Sequence, residues 1–351
     1  MVALFLAALL AVSALIRWAA PVPHGGGLAV KLAAYEELAH EIDVVVLGTS
    51  RLARGVIPEV LDAELAAHGR PLKSFNLSVL GMGALEADYV LDQVLALGAG
   101  RLQTVLLEVD SWRPVLPDDE LGLRARDVHW HDLSRTRTAL ESLWQVRQFS
   151  NPLQLVELAG IELERLALDQ LSIGRLAWWL GEGFAPNADP LDSPTPSEAL
   201  RLRGHHPYPV AQSDGLLRQQ ANARRRGEPS RFERLLNQAR RPTVRDRDTS
   251  TYNRDALQRQ IERVRAVGVT PIYLAPPSVK SRAWIATLAE EGALPALLDF
   301  RDPNAHPELF AFERRYDVDH LNQDGAELFS RELAAALHRQ LSLEEHGDAA
   351  R

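Results

Sequence analysis

Short apolar runs alternate with segments of helical periodicity in two parts of the chain, and this alternation restricts the fold more than any other feature. Five apolar runs fit buried strands: residues 43–47, 73–79, 105–109, 269–275 and 296–300. Helical patterns cover residues 28–41, 57–68, 83–97, 253–267 and 323–341. Near-continuous apolar runs are typical of strands that helices cover on both faces of a parallel sheet. The sequence therefore predicts an α/β fold, a three-layer sandwich with a central parallel sheet.

A long region between residues 114 and 252 interrupts this alternation. At about 150 residues per domain, 351 residues suit two domains, or one domain with a large insertion. Residues 133–180 have a helical pattern with three tryptophans, and residues 201–248 contain twelve arginines against five acidic residues. We therefore expect five segments: an N-terminal anchor or signal segment with its linker (1–27), a first core part (28–112), a mostly helical and Arg-rich insertion (113–251), a second core part (252–341) and a disordered tail (342–351).

The N-terminal segment has the composition of a membrane helix. Residues 2–16 are apolar except for Ser13, and Arg17 and Trp18 follow, as is typical of a membrane interface. Continued to residue 20, the segment approaches the roughly 20 residues that a spanning helix needs. We expect a membrane anchor. A signal peptide is an alternative, although its basic n-region is missing, and a buried core helix is another; whether the segment is cleaved stays open.

Charge and cysteine content exclude several classes of function. The chain has 39 Lys and Arg residues against 47 Asp and Glu residues, a formal charge of −8. Because phosphate contacts need a basic surface, this charge argues against nucleic-acid binding. The chain has no cysteine, which excludes disulfides, thiolate catalysis and Cys-ligated metal centres. The histidine pairs 129/131 and 205/206 lack a further ligand at metal-binding spacing, so we expect no metal site.

Two polar motifs follow predicted strands. Gly48-Thr49-Ser50-Arg51 comes after the first, and ligands of open α/β sheets bind outside the carboxyl ends of the strands. Ser50 could be a nucleophile at a helix N-terminus or simply a helix cap. The segment from Asn76 to Gly81 follows the second strand, and the N–H of Gly81 could point at a developing oxyanion. A dinucleotide loop is disfavoured there, because Glu86 stands where the third glycine belongs.

A third motif precedes the last predicted helix. It reads Asp317-Val318-Asp319-His320. An activated serine needs a base whose tautomer is fixed by a carboxylate, and Asp317 could supply that carboxylate to His320 from the same turn. A polar surface loop that caps the helix is the alternative.

Taken in this order, the three blocks resemble the SGNH/GDSL hydrolase superfamily over roughly residues 42–112 and 252–341. The resemblance implies a flavodoxin-like core in which Ser50 is the nucleophile, His320 the base and Asp317 its orienting carboxylate. It further implies that the N–H groups of Ser50 and Gly81 bind the oxyanion. The family usually has an Asn donor after the third strand, whereas this chain has Asp110, which cannot donate when ionised.

Three further residues are candidates for substrate binding. Arg51 could steer an anionic substrate or pair with a neighbouring acid. Asn76 could contact substrate or hold the loop that follows the second strand. Asp110 is the third candidate, because it follows the third predicted strand.

The N-terminal segment and the Trp- and Arg-rich insertion resemble membrane-tethered relatives that acylate or deacylate surface polysaccharide. We therefore expect a serine esterase or O-acyltransferase that acts on acyl esters, acetyl foremost, of a cell-surface polysaccharide and needs no cofactor. The resemblance places the catalytic domain in the periplasm or outside the cell, although Arg17 alone weakly favours the cytoplasmic side. An acylated glycan or other ester and a membrane acyl-transfer protein are the expected partners. A catalytically inactive binding or assembly protein and a periplasmic lipid- or peptidoglycan-directed esterase are the alternatives.

Overall fold

The computed structural model confirms the α/β fold. It describes residues 1–19, 26–98, 100–109, 112, 128, 130–145, 152–172, 194–207, 229–241, 253–279 and 283–349. Five parallel strands form one sheet in the order β2-β1-β3-β4-β5. The strands are β1 (Val44–Leu47), β2 (Ser74–Asn76), β3 (Thr104–Glu108), β4 (Thr270–Ala275) and β5 (Leu297–Asp299). β1, β2, β4 and β5 lie within predicted runs, and β3 starts one residue before its run. The sheet thus takes strands from both sides of the 113–251 region.

Twelve helices are present in the described residues. Seven precede or start the insertion: α1 (Val2–Ala19), α2 (Gly26–Leu38), α3 (Ser50–Gly55), α4 (Pro58–Ala67), α5 (Ala84–Leu97), α6 (Leu133–Gln145) and α7 (Pro152–Gln170). Five follow: α8 (Pro196–Arg201), α9 (Pro229–Ala239), α10 (Arg254–Ala266), α11 (Ala283–Glu290) and α12 (Gln323–Ala349). Within the predicted helical stretch 133–180, residues 146–151 and 173–180 are not among the residues that the structure describes.

The sheet separates two hydrophobic clusters, because successive side chains of a strand point to opposite faces. On β1, Val45 and Leu47 join one cluster with side chains of α2, α5, α10 and α11. Val44 and Val46 join the other, with side chains of α3, α4, α9 and α12. Helices therefore cover both faces of the sheet, which gives the three layers predicted from the sequence.

The described parts of the insertion pack on this core. α8 contacts α2, and the segment 202–207 that follows it runs along the free edge of β2, where the N–H of Asn76 donates to Arg203 O at 2.9 Å. α9 buries Phe232 and Leu236 in the second cluster. The insertion thus supports the edge of the sheet and the helices around it.

The prediction of a disordered tail from residue 342 was wrong over residues 342–349, which continue α12. α12 packs along α4, and Leu341 is buried at the start of the extra turns. Arg70 donates two hydrogen bonds of 2.8 Å to the Glu345 carboxylate. The pairing of Arg70 with Glu345 spans 275 residues, so local composition gave no sign of it.

α1 is the one helix, in the part of the chain that the structure describes, that is long and apolar enough to cross a membrane. Its mean hydropathy is 2.2 and only 6% of it is buried. This exposure rules out the alternative of a buried core helix. Its length and composition fit both a membrane anchor and a signal sequence.

Candidate active site

Ser50 lies at the turn from β1 into α3. The turn is held by Thr49, the N-cap of α3, whose hydroxyl accepts a hydrogen bond from the N–H of Arg51. Two residues further on, the fully buried Leu52 fixes the helix to the core. Ser50 itself is partly exposed, and it occupies the carboxyl edge of the sheet, where ligands bind in open α/β folds.

The structure brings Ser50, His320 and Asp317 together. Ser50 Oγ lies 2.8 Å from His320 Nε2 across a sequence separation of 270 residues. On the other side of the ring, His320 Nδ1 lies 2.9 Å from both Oδ1 and Oδ2 of Asp317. When the Nδ1–H donates to Asp317, Nε2 is left to accept the Ser50 proton, which is the arrangement that activates a serine.

Asp317 is oriented by its own loop. Its Oδ1 accepts the N–H groups of Asp319 at 2.8 Å and of His320 at 2.9 Å. Burial raises the pKa of the Asp317 carboxyl, but the bonds with His320 and with these two N–H groups outweigh burial and hold that pKa below its usual value. The carboxylate is therefore ionised at neutral pH and able to fix the His320 tautomer.

Arg315 packs beneath the surface of the protein and supports the loop that carries Asp317 and His320. Its side chain is fully buried, and its guanidinium stands over the rings of Phe310 and Phe232, 4.9 and 5.5 Å from their centres. Its Nη1 donates to Val318 O at 3.4 Å. Burial lowers the Arg315 pKa to about 10, so it is charged at neutral pH. Because Phe232 belongs to α9, the insertion contributes to the support of the loop that carries Asp317 and His320.

Glu108 is the residue that sequence reasoning missed. Its carboxylate accepts the N–H of Thr49 at 2.6 Å and the Thr49 hydroxyl at 3.2 Å, and it pairs with the Arg51 guanidinium. A Cβ at Gly48 would lie 2.5 Å from Glu108 Oε2, so only glycine fits this contact. Glu108 is the one charged residue in the predicted run 105–109, and the register, in which Leu47 pairs with Leu107, places it beside the turn that carries Ser50.

The side chains of Arg51 and Asn76 both bond to other residues of the chain. Arg51 pairs with the buried Glu108 and leaves a tenth of its side chain exposed, which favours the acid-pairing alternative over substrate steering. Asn76 is fully buried, and its Nδ2 donates to Leu52 O and Val56 O at 2.8 Å each. Its Oδ1 accepts the N–H of Ser78 at 3.1 Å, so these bonds favour the alternative in which Asn76 holds the loop that follows the second strand.

The loop after β2 adjoins the turn that carries Ser50. The N–H of Val79 donates to Gly48 O at 3.0 Å, and Gly81 follows in an exposed turn with φ of +68°, where a Cβ would meet nothing within 4 Å. Gly81 is thus at the same edge of the sheet as Ser50. Asp110 lies outside the described residues.

Of the histidines considered as metal ligands, His205 contacts a backbone carbonyl and His131 contacts a single carboxylate. His205 is buried and its Nε2 lies 3.3 Å from Arg54 O, and burial lowers its pKa to about 3. His131 is buried with Nε2 2.7 Å from Glu162, while His129 lies outside the described residues. Within those residues no group of three or more His, Asp or Glu side chains could hold a metal ion.

Lys31 lies under the loop that carries Gly81. This side chain of α2 is buried, and its Nζ donates to Ser78 O at 2.6 Å. Burial, followed by the nearby charge of Arg54, lowers the Lys31 pKa to about 7. An ordinary lysine titrates near 10.4. Folding therefore favours loss of a proton from Lys31 over most of the alkaline range.

We expect the free energy of unfolding to rise between pH 7 and pH 10 by up to about 1.4 kcal/mol per pH unit through Lys31. In that window the unfolded chain keeps the Lys31 proton and the folded chain releases it. His205 titrates below the window and Arg54 stays charged. Lys31→Met should remove this rise, whereas Lys73→Met, at a half-exposed lysine, should keep it. Urea unfolding across this range measures the slopes, and equal slopes for the two variants would contradict the assignment.

Comparison with protein-family models gives no match, and comparison with curated protein sequences gives none either.

Proposed function

We propose that this chain is a membrane-anchored serine esterase or O-acyltransferase of the SGNH type. The observation that carries the proposal is the continuous chain of contacts from Ser50 through His320 to Asp317, with heavy-atom distances of 2.8 and 2.9 Å. A helix cap needs no histidine, and a surface loop needs no partly buried carboxylate aligned on the far nitrogen of that histidine. The arrangement is what acyl transfer through a serine requires.

The proposed reaction has two halves. Ser50 Oγ bonds to the ester carbonyl carbon while its proton passes to His320 Nε2. The ester C–O bond then breaks, and the departing alkoxide takes the proton from His320, which leaves an acyl group on Ser50. Water or an acceptor hydroxyl next gives its proton to His320 and bonds to the acyl carbon, and the bond to Ser50 breaks as His320 returns the proton to Oγ. Asp317 stabilises the charged imidazole in each half.

The glycan substrate is the less direct part of the proposal. It follows from the resemblance to membrane-tethered proteins that modify surface polysaccharide, and α1 is compatible with such tethering. Placement in the periplasm or outside the cell is proposed on the same ground. An acetyl group is the expected acyl group and a membrane acyl-transfer protein the expected partner. A panel of acetylated glycans tested against acyl lipids would separate the glycan from the lipid-directed alternative.

A catalytically inactive binding or assembly protein is the second candidate. One observation favours it: β3 ends in Glu108, whose carboxylate accepts the Thr49 N–H and pairs with Arg51. A carboxylate beside the nucleophile turn cannot donate to an oxyanion. The oxyanion would then depend on backbone N–H groups such as those of Ser50 and Gly81.

Labelling of the full chain by a fluorophosphonate distinguishes the two candidates. Such a probe reacts with an activated serine without needing the natural substrate. We expect the wild type to be labelled and both Ser50→Ala and His320→Ala to lose the label. Ser197→Ala and His68→Ala change exposed residues of the same types and should retain it. Failure of the folded wild type to react, or persistence of labelling in Ser50→Ala, would contradict the enzyme and favour the binding protein.

A further inference from the structure

Exposed apolar side chains are concentrated on three helices. In the described residues sixteen large apolar side chains are exposed. Eight belong to residues 1–18 and five to α6 and α7, whereas the other three, Leu97, Val267 and Leu343, are far apart in the sequence. Single exposed apolar residues are normal on a soluble surface, but clusters mark contact with a partner.

α6 and α7 pack against each other, and their outer surfaces carry the five exposed residues. Leu133 and Trp144 lie on α6, and Leu153, Val156 and Leu163 lie on α7; each is at least 50% exposed. On α7 these three recur with Gly160 and Ala167 at spacings of three and four, and all five are exposed. This spacing places them on one face of the helix.

The end of α7 is bonded to α1. Ser13 Oγ donates to Leu171 O at 3.0 Å, and Ser172 Oγ donates back to Ser13 O at 3.0 Å. Arg17 donates to Asp169 O at 3.3 Å, to Gln170 O and to the Gln170 side chain at 3.1 Å. The last carbonyls of a helix lack partners within it, and a cation there is favourable. α1 therefore caps α7.

The hydrogen bonds between α1 and the end of α7 fix the depth of that end in a membrane that α1 crosses. The 18 residues of α1 measure about 27 Å, close to the roughly 30 Å of a bilayer core. Residues 2–12 alone would measure about 16 Å, which is too short. If α1 spans the bilayer, Arg17 lies near the far surface of its core, and Ser13, four residues earlier, lies about 6 Å deeper. The capped end of α7 then lies there too.

We propose that α6 and α7 lie in the membrane interface, with their exposed apolar side chains in contact with lipid. This inference rests on the proposed anchoring by α1 and is independent of the esterase activity. The exposed charges of α7 beside the apolar face are Glu157 and Glu164, and Arg137 on α6 is paired with Glu141. In the described residues of α6 and α7 the exposed charges are thus acidic or paired, so we expect contact on neutral phosphatidylcholine.

The absence of native cysteine allows a direct test on the full chain in phosphatidylcholine vesicles. Val156→Cys on α7 and Val267→Cys after α10 replace valines of similar exposure, 69% and 57%, and each is labelled with the environment-sensitive fluorophore NBD. We expect a blue-shifted emission at position 156 that nitroxide-labelled lipids quench. At position 267 we expect the emission of a water-exposed probe with no quenching. Leu153→Cys repeats the test should Val156→Cys fail to fold.

The outcomes separate the inference from the anchoring on which it rests. The protein could float with the vesicles while the probes at positions 156 and 153 keep a water-exposed emission. That result would overturn the lipid contact alone. Blue-shifted emission without quenching by lipid would also overturn it, because a second copy or another protein then covers α7. Chain that does not float with vesicles would overturn both the anchoring and the contact.

Discussion

Asp317→Asn is expected to lower kcat for hydrolysis of a simple acetyl ester on the order of 10⁴-fold while the fold is retained. Asp317 Oδ1 accepts two backbone N–H groups, and the oxygen of an asparagine amide would keep those bonds. The amide nitrogen would then face His320 Nδ1 and donate to it. That reverses the histidine tautomer, so that Nε2 carries a proton and cannot accept the one from Ser50.

Steady-state kinetics and the rate of fluorophosphonate labelling both measure this effect. Asp324→Asn is a matched control, because Asp324 is exposed at the start of α12, and we expect it to leave kcat nearly unchanged. Nitrogen chemical shifts of His320 would report the tautomer directly. Unchanged kcat in Asp317→Asn, with a normal circular-dichroism spectrum, would remove Asp317 from the proposed machinery.

Local pattern was enough to predict the strands, whereas the Ser50, His320 and Asp317 roles were predicted from the resemblance of the three ordered motifs to SGNH hydrolases. β1 is four β-branched or leucine residues followed by Gly48, and such a run has few alternatives to a buried strand. Ser50 was a candidate because it follows a strand, where ligands of open α/β sheets bind, and His320 because Asp317 precedes it by three residues before the last helix. What the motifs could not give was the 2.8 Å contact between residues 270 positions apart.

The features that sequence reasoning missed depend on contacts across the sheet. Glu108 was overlooked because the motif directs attention to the residues after β3, whereas register places Glu108 itself beside Thr49. Asn76 looked like a ligand because it ends a strand, yet its amide fills the backbone acceptors of α3. Burial decides between these roles, and a single sequence does not encode burial of a polar residue in any local pattern.

The insertion also supports α3, the helix that begins with Ser50, through contacts that its composition did not indicate. His206 N donates to Ala53 O at 3.0 Å, and Arg54 Nη1 donates to His206 O at 3.5 Å. The segment 202–207 therefore contacts α3 on one side and the edge of β2 on the other. Gly204, within this segment, has φ of +80°, and a Cβ there would lie 2.1 Å from Asn76 O.

Gly204→Ala is expected to lower the free energy of unfolding by about 3–5 kcal/mol, since the left-handed backbone and the steric clash both contribute. Gly69 also has φ of +80°, but a Cβ there would meet nothing within 4 Å. Gly69→Ala therefore isolates the backbone term and should cost about 1–2 kcal/mol. Urea unfolding of the two variants measures the difference.

Gly204→Ala should also slow fluorophosphonate labelling more than Gly69→Ala does. Asn76 O, the atom that the new Cβ would strike, belongs to the residue whose amide holds Leu52 O and Val56 O of α3. A shift of Asn76 would therefore move the helix that begins with Ser50. Equal destabilisation by the two alanines would mean that segment 202–207 does not pack on β2. Loss of stability in Gly204→Ala without slower labelling would mean that the segment supports the sheet edge but not the nucleophile.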